Sequence, residues 1–130
     1  DVETAFYEAL ECCDIDAMMA VWSEDEEVVC VHPGGPRLVG YTMIREAWQR
    51  IFGNGRKLQV RLSQQKSVTT PFAVVSTLLE HIASPDDGNL SAPVAATNIY
   101  VRGPLGWRMV AHHASPVPPG SVAEAPHTLH

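Results

Sequence analysis

The apolar pattern of this chain changes its period once, at Gly53-Asn54-Gly55, and that change limits what it can fold into. Before it, apolar residues recur at steps of three and four, the repeat of a helix with one buried stripe. After it, Leu58, Val60 and Leu62 alternate with Gln59, Arg61 and Ser63, the two-residue repeat of a half-buried strand. Helices first, then consecutive strands joined by short turns, make an antiparallel sheet with helices laid against it. The fold class is therefore α+β.

In the helical half, Val2, Phe6, Ala9 and Leu10 form the apolar stripe of a first helix, with Glu3, Glu8 and Glu11 on its other face. Asp14 is placed to cap a short second helix whose stripe is Ile15, Met18, Met19 and Trp22. Residues 28–31 read as a short strand that ends in the turn His32-Pro33-Gly34-Gly35-Pro36. Thr42 is the expected N-cap of a third helix carrying Ile44, Ala47, Trp48 and Ile51 on one side.

In the strand half, residues 72–83 are apolar on both parities, which predicts a strand covered on both faces. Residues 84–89 read as a hairpin loop. Residues 94–102 and 107–115 are two further strands joined by Gly103-Pro104-Leu105-Gly106. The expected domain is 1–117, followed by a proline-rich arm over 118–130.

The 130 residues suit one domain, and 45% apolar residues suffice for a core. Nine Lys and Arg against fifteen Asp and Glu, with no basic stripe, argue against a nucleic-acid partner. Three cysteines, two of them adjacent, do not make a disulfide framework, so a reducing, cytoplasmic setting is expected. No apolar run approaches the ~20 residues of a membrane span. Zincin spacing, Cys-x-x-Cys, a phosphate loop and a dinucleotide fingerprint are all absent, so neither a metal nor a cofactor is expected.

The element order resembles the NTF2-like superfamily, and within it the SnoaL-like and ketosteroid-isomerase-like proteins. The residues that carry the resemblance are Phe6-Tyr7, Asp14-Ile15, Val31-His32-Pro33, Gly40, Gly106-Trp107, His113 and Ser115. The resemblance implies three helices packed on a strongly curved, mainly antiparallel sheet, a cone with an internal pocket for a small apolar molecule, and a homodimer formed through the sheet. It also implies a general base at the residue before Pro33, which is His32 rather than the aspartate of ketosteroid isomerases. The two isomerase oxyanion donors fall near Phe6 and Ala95, which cannot donate a side-chain proton, although Tyr7 adjoins Phe6. Standard steroid isomerisation is therefore not expected. Other proton-transfer chemistry on an apolar carbonyl compound (isomerase, cyclase or dehydratase type) is, with non-catalytic ligand binding or dimerisation as the alternative.

The residues themselves supply the candidates. His32 titrates near neutrality at a strand end. Glu80 is a carboxylate inside an apolar strand, where it needs either a cavity or a partner such as Arg61 or Arg102. His112 and His113 must face opposite sides of the sheet. Trp107, Met109, Ala111, His113 and Ser115 form the more apolar parity, so His113 is expected inside with Ser115 at the mouth. The catalytic candidates are thus His32, Glu80 and His113. The ligand-contact candidates are Tyr7, Trp22, Trp48, Asn98 and Ser115, with Asn98 serving either a ligand or a bridge between strands.

Overall fold

The computed structural model describes residues 1–83 and 93–118. The expected hairpin loop over 84–89 and most of the proline-rich arm lie outside those residues. Three helices, α1 (Val2–Cys12), α2 (Ile15–Val21) and α3 (Tyr41–Phe52), pack on six strands. The strands are β1 (Val29–Val31), β2 (Arg37–Val39), β3 (Gln59–Thr69), β4 (Ala73–Ala83), β5 (Val94–Gly103) and β6 (Gly106–Pro116).

Local chemistry explains the helix ends. The Asp14 side chain accepts from the Ala17 amide at 3.0 Å and starts α2, as its position suggests. Cys13 ends α1 in the left-handed region (φ 54°), its amide turned back to Ala9 and Leu10. The start of α3 corrects the sequence reading. Gly40, not Thr42, is the N-cap, and no side chain caps the helix. Gly40 sits at φ 97°, which a side chain would strain, and this lets its amide reach the Val28 carbonyl at 2.8 Å.

The sheet order is β2-β1-β6-β5-β4-β3. The four long strands form the expected antiparallel meander. Strand β2, three residues within the Pro33–Gly40 turn region, was not foreseen; it pairs antiparallel with β1. Strand β1 in turn pairs parallel with β6, so the sheet is mixed.

Register decides which side chains meet. Cys30 of β1 lies opposite His112 of β6, His112 opposite Asn98 of β5, Asn98 opposite Ser76 of β4, and Ser76 opposite Ser67 of β3. This row crosses the helix-facing side of the sheet. Phe6, Met18, Trp22, Ile44, Trp48 and Met109 close the core over it.

Two expectations about the sheet are corrected here. Strand β4 is covered on one face only: Val75 and Thr77 are exposed, whereas Ser76, Leu78 and Glu80 are buried. The parity of β6 is also reversed beyond Met109. Ile99 pairs with Ala111 but Tyr100 pairs with Met109, so Val110 is an extra residue in β6. Met109 faces in before this bulge, and His112 and Ala114 face in after it. His113 and Ser115 are exposed on the outer face.

Candidate functional site

Helix α1 presents Glu3 and Tyr7, one turn apart on a single face, to the middle of the sheet. The Tyr7 hydroxyl donates to Glu80 Oε2 at 2.6 Å. Asn98 Nδ2 donates to the Tyr7 oxygen at 3.0 Å and to Glu3 Oε2 at 3.2 Å. With its amino group used this way, Asn98 presents Oδ1 to His112 Nδ1 at 2.6 Å. His112 Nδ1 must therefore carry the proton, and its Nε2 keeps the lone pair. The donors run in one direction, from His112 through Asn98 and Tyr7 to Glu80. Ser76 Oγ donates to Glu3 Oε1 at 2.9 Å, and the Tyr100 hydroxyl donates to Glu3 Oε2. Four of these groups, Ser76, Glu80, Asn98 and His112, are almost wholly buried, a placement tolerated only because each has a partner.

Burial also sets the protonation states. Desolvation pushes Glu80 above the usual carboxylate range, opposed by the Tyr7 hydrogen bond. It pushes the Tyr7 and Tyr100 phenols up, reinforced by Glu80 and Glu3 respectively. The Cys30 thiol is pushed up to about 12, mainly by burial with a contribution from Glu80, so it remains protonated. His112 is lowered to about 3 by complete burial, with His32 and His113 adding repulsion, so it remains neutral.

His32 stands beside this network. It is half-buried, and its ring meets Trp48 edge-on at 4.6 Å between centroids and lies 6.4 Å from His112. Its Nε2 lies 3.5 Å from Cys30 Sγ. Burial lowers its pKa and favours the neutral imidazole. The Trp48 indole Nε1 is buried without a hydrogen-bond partner, as is that of Trp22. A buried donor without an acceptor is uncommon and calls for an explanation.

The structure thus brings Tyr7, Glu80 and Asn98 together and sets His32 against Trp48. Glu80 is partnered by Tyr7 rather than by an arginine, and Asn98 bridges strands. His113 and Ser115 do not join this group; the bulge at Val110 puts them on the other face. Glu3, Ser76, Tyr100 and His112 were missed as site residues. The spacing of Glu3 and Tyr7 on α1 was the available signal for the first of them.

Trp22 lines a different place, a cleft of about 700 Å³ between α2, the start of α3 and the β5–β6 turn. A second cleft, about 310 Å³, opens at Glu3, Ser76, Tyr100 and Trp107. Among the described residues, no three His, Cys, Asp or Glu side chains converge as a metal site. No described helix is long and apolar enough to cross a membrane.

A helical layer on a curved mixed sheet, with a polar row buried beneath α1, defines an NTF2-like domain. The chain belongs to the SnoaL-like domain family, whose model matches residues 1–119. Two crystal structures resemble it closely. One is a candidate calcium/calmodulin-dependent protein kinase type II association domain from Thiobacillus denitrificans, 36% identical, with TM-score 0.80, covering 90% of this chain and 93% of that one. The other is a candidate dehydratase of the NTF2-like family from Streptomyces avermitilis, 34% identical, with TM-score 0.80, covering 90% and 91%. The F-box protein SKIP8 of Arabidopsis thaliana is 28% identical over 116 residues. That match covers 88% of this chain and 47% of SKIP8, so the chain spans about half the length of this curated relative.

Proposed function

We propose that this domain binds a small apolar carbonyl compound at the His32–Trp48 corner of the cone and moves a proton on it. The observation that carries the reading is the pairing of a half-buried, neutral imidazole with a buried indole N–H that has no acceptor. A carbonyl oxygen would satisfy the indole, and His32 would take the adjacent acidic proton. Glu80, whose pKa burial raises and whose carboxyl Tyr7 holds, would be the reserve acid behind this corner. Dehydration, cyclisation and isomerisation adjacent to a carbonyl all begin with such a proton removal. The likeness to a candidate dehydratase supports the first of these.

The test needs no prior substrate. A panel of cyclic ketones and enones is incubated with the protein in D₂O, and deuterium entry at the α-carbon is followed by NMR. Exchange that disappears in His32→Ala, with the circular dichroism unchanged, is the expected result. Exchange that persists in His32→Ala excludes this base.

The outer sheet face favours a second, compatible role in dimerisation. Val68 and Val75 pair across strands there, with Val101 on the neighbouring strand, and all three are exposed. A second copy packed on this face, in a cytoplasmic protein, completes the proposal. Light scattering on the wild type and on Val75→Lys tests it, because a lysine at that position abolishes sheet-to-sheet association.

A further inference from the structure

The cleft between α2 and the β5–β6 turn lies apart from the His32 corner, and its chemistry is sorted by depth. Its floor includes Trp22, almost wholly buried, whose indole N–H has no acceptor. Arg45 and Arg108 line it half-buried. Arg45 forms no ion pair or hydrogen bond among the described residues. Arg108 Nη1 donates to the carbonyls of Leu105 and Trp107, and its other N–H groups take no described partner. The acids of the same cleft, Asp16, Glu24 and Asp25, are exposed at the rim and pair with neither arginine. The apolar wall is Met19, Val101 and Leu105, the last 78% exposed at the tip of the turn.

The unspent groups at depth are the Trp22 N–H, the Arg45 and Arg108 guanidinium groups and the Ser23 hydroxyl, all able to donate, and two of the four are cationic. That is the complement of a carboxylate, which arginine binds through paired N–H groups. The volume of about 700 Å³ falls within the range of small-molecule sites, and the wall can cover a hydrocarbon body. The acidic rim repels polyanions, which argues against phosphates and nucleic acid and for a single negative charge. We infer that this cleft is a second binding site, for an amphipathic monocarboxylate whose anion sits between Arg45 and Arg108 near the Trp22 N–H and whose chain lies against Leu105. It is independent of the proton-transfer reading.

The probes are sodium octanoate, with octanol and octylamine as controls, followed by ¹⁵N–¹H NMR of the intact chain. Octanoate is expected to cause saturable shifts at Met19, Leu105 and the Trp22 indole N–H, the last identified with Trp22→Phe. Arg45→Met should weaken binding about tenfold or more. Leu105→Ser, at an exposed tip where the fold tolerates change, should weaken octanoate about threefold. His32→Ala should leave octanoate affinity unchanged, which separates this site from the proposed catalytic one. The inference is overturned if octylamine or octanol binds as tightly as octanoate, if the shifts centre elsewhere, if Arg45→Met binds normally, or if no saturable shift occurs up to the solubility of the probe.

Discussion

His112 and His113 are adjacent in sequence and opposite in circumstance. His112 is 3% exposed, bonded through Nδ1 to Asn98, and neutral far below the usual imidazole pKa. His113 is exposed on the outer face beside Ser115. Their contrast repeats across the whole sheet. The inner face carries the buried polar groups Ser76, Asn98 and His112, each with a hydrogen-bond partner, roofed by Phe6, Trp22 and Trp48. The outer face carries exposed apolar side chains, Val68 and Val75 among them, beside the Ser63–His81 pair. Identical strands serve both faces, so chemistry at one residue is set by which side of the pleat it occupies. One extra residue, Val110, decides that side for the end of β6.

The strongest way to break this comparison is to delete Val110 and Ala111 together. Loss of Val110 alone would leave Met109, Ala111 and His112 in regular alternation with His112 still inward; losing Ala111 as well turns His113 and Ser115 inward while expelling His112 and Ala114. The expected loss exceeds the ~5 kcal/mol at the lower end of domain stability, so the variant should be unfolded by circular dichroism at 25 °C. A folded variant with native stability would show that parity does not govern this strand.

Next is Asn98→Leu. It strands the Tyr7 oxygen, the Glu3 carboxylate and the His112 N–H in a buried place, and is expected to cost about 3–5 kcal/mol in urea unfolding. The outer-face neighbour Thr97→Ala should cost under about 1 kcal/mol. Equal costs would erase the distinction between the faces.

A third test uses pH. The unfolded chain takes up the His112 proton near pH 6.5, whereas the folded chain takes it up only near 3. Between these values the unfolded state binds more protons, so this residue's contribution to stability falls as pH falls, by at most roughly 1.4 kcal/mol per pH unit. Glu80 acts with the opposite sign, since its raised pKa makes the folded state hold its proton more tightly as pH rises above 4.5. The difference between wild type and His112→Gln largely cancels the Glu80 contribution. That difference should change between pH 6.5 and 3.

The smallest effect on stability is expected at Val101→Lys on the outer face, within about 0.5 kcal/mol for the monomer. Its effect should instead appear in light scattering, as loss of association through that face.

Much of the architecture was legible because period is a local property. The helical stripes of Phe6 and Trp48, the Asp14 cap and the alternation in β3 follow from neighbours a few residues apart. The site was less legible, because its bonds join Tyr7 to Glu80 and Asn98 to His112 across most of the chain. Glu80 was conspicuous as a lone carboxylate among apolar residues, but nothing near it in sequence named Tyr7 as its partner. The parity of β6 failed for a different reason. A bulge leaves no fixed mark in composition, and Val110 looks like any other strand valine.

The order of helices and strands, and the need to bury one face of each, were dictated by the sequence itself, since hydrophobic spacing acts within each element. Which polar groups meet, which of two neighbouring histidines is sealed, and where Arg45 and Arg108 face one cleft were decided only by tertiary structure. Register, sheet order and a single inserted residue set distances between segments, and a linear pattern holds no measure of those.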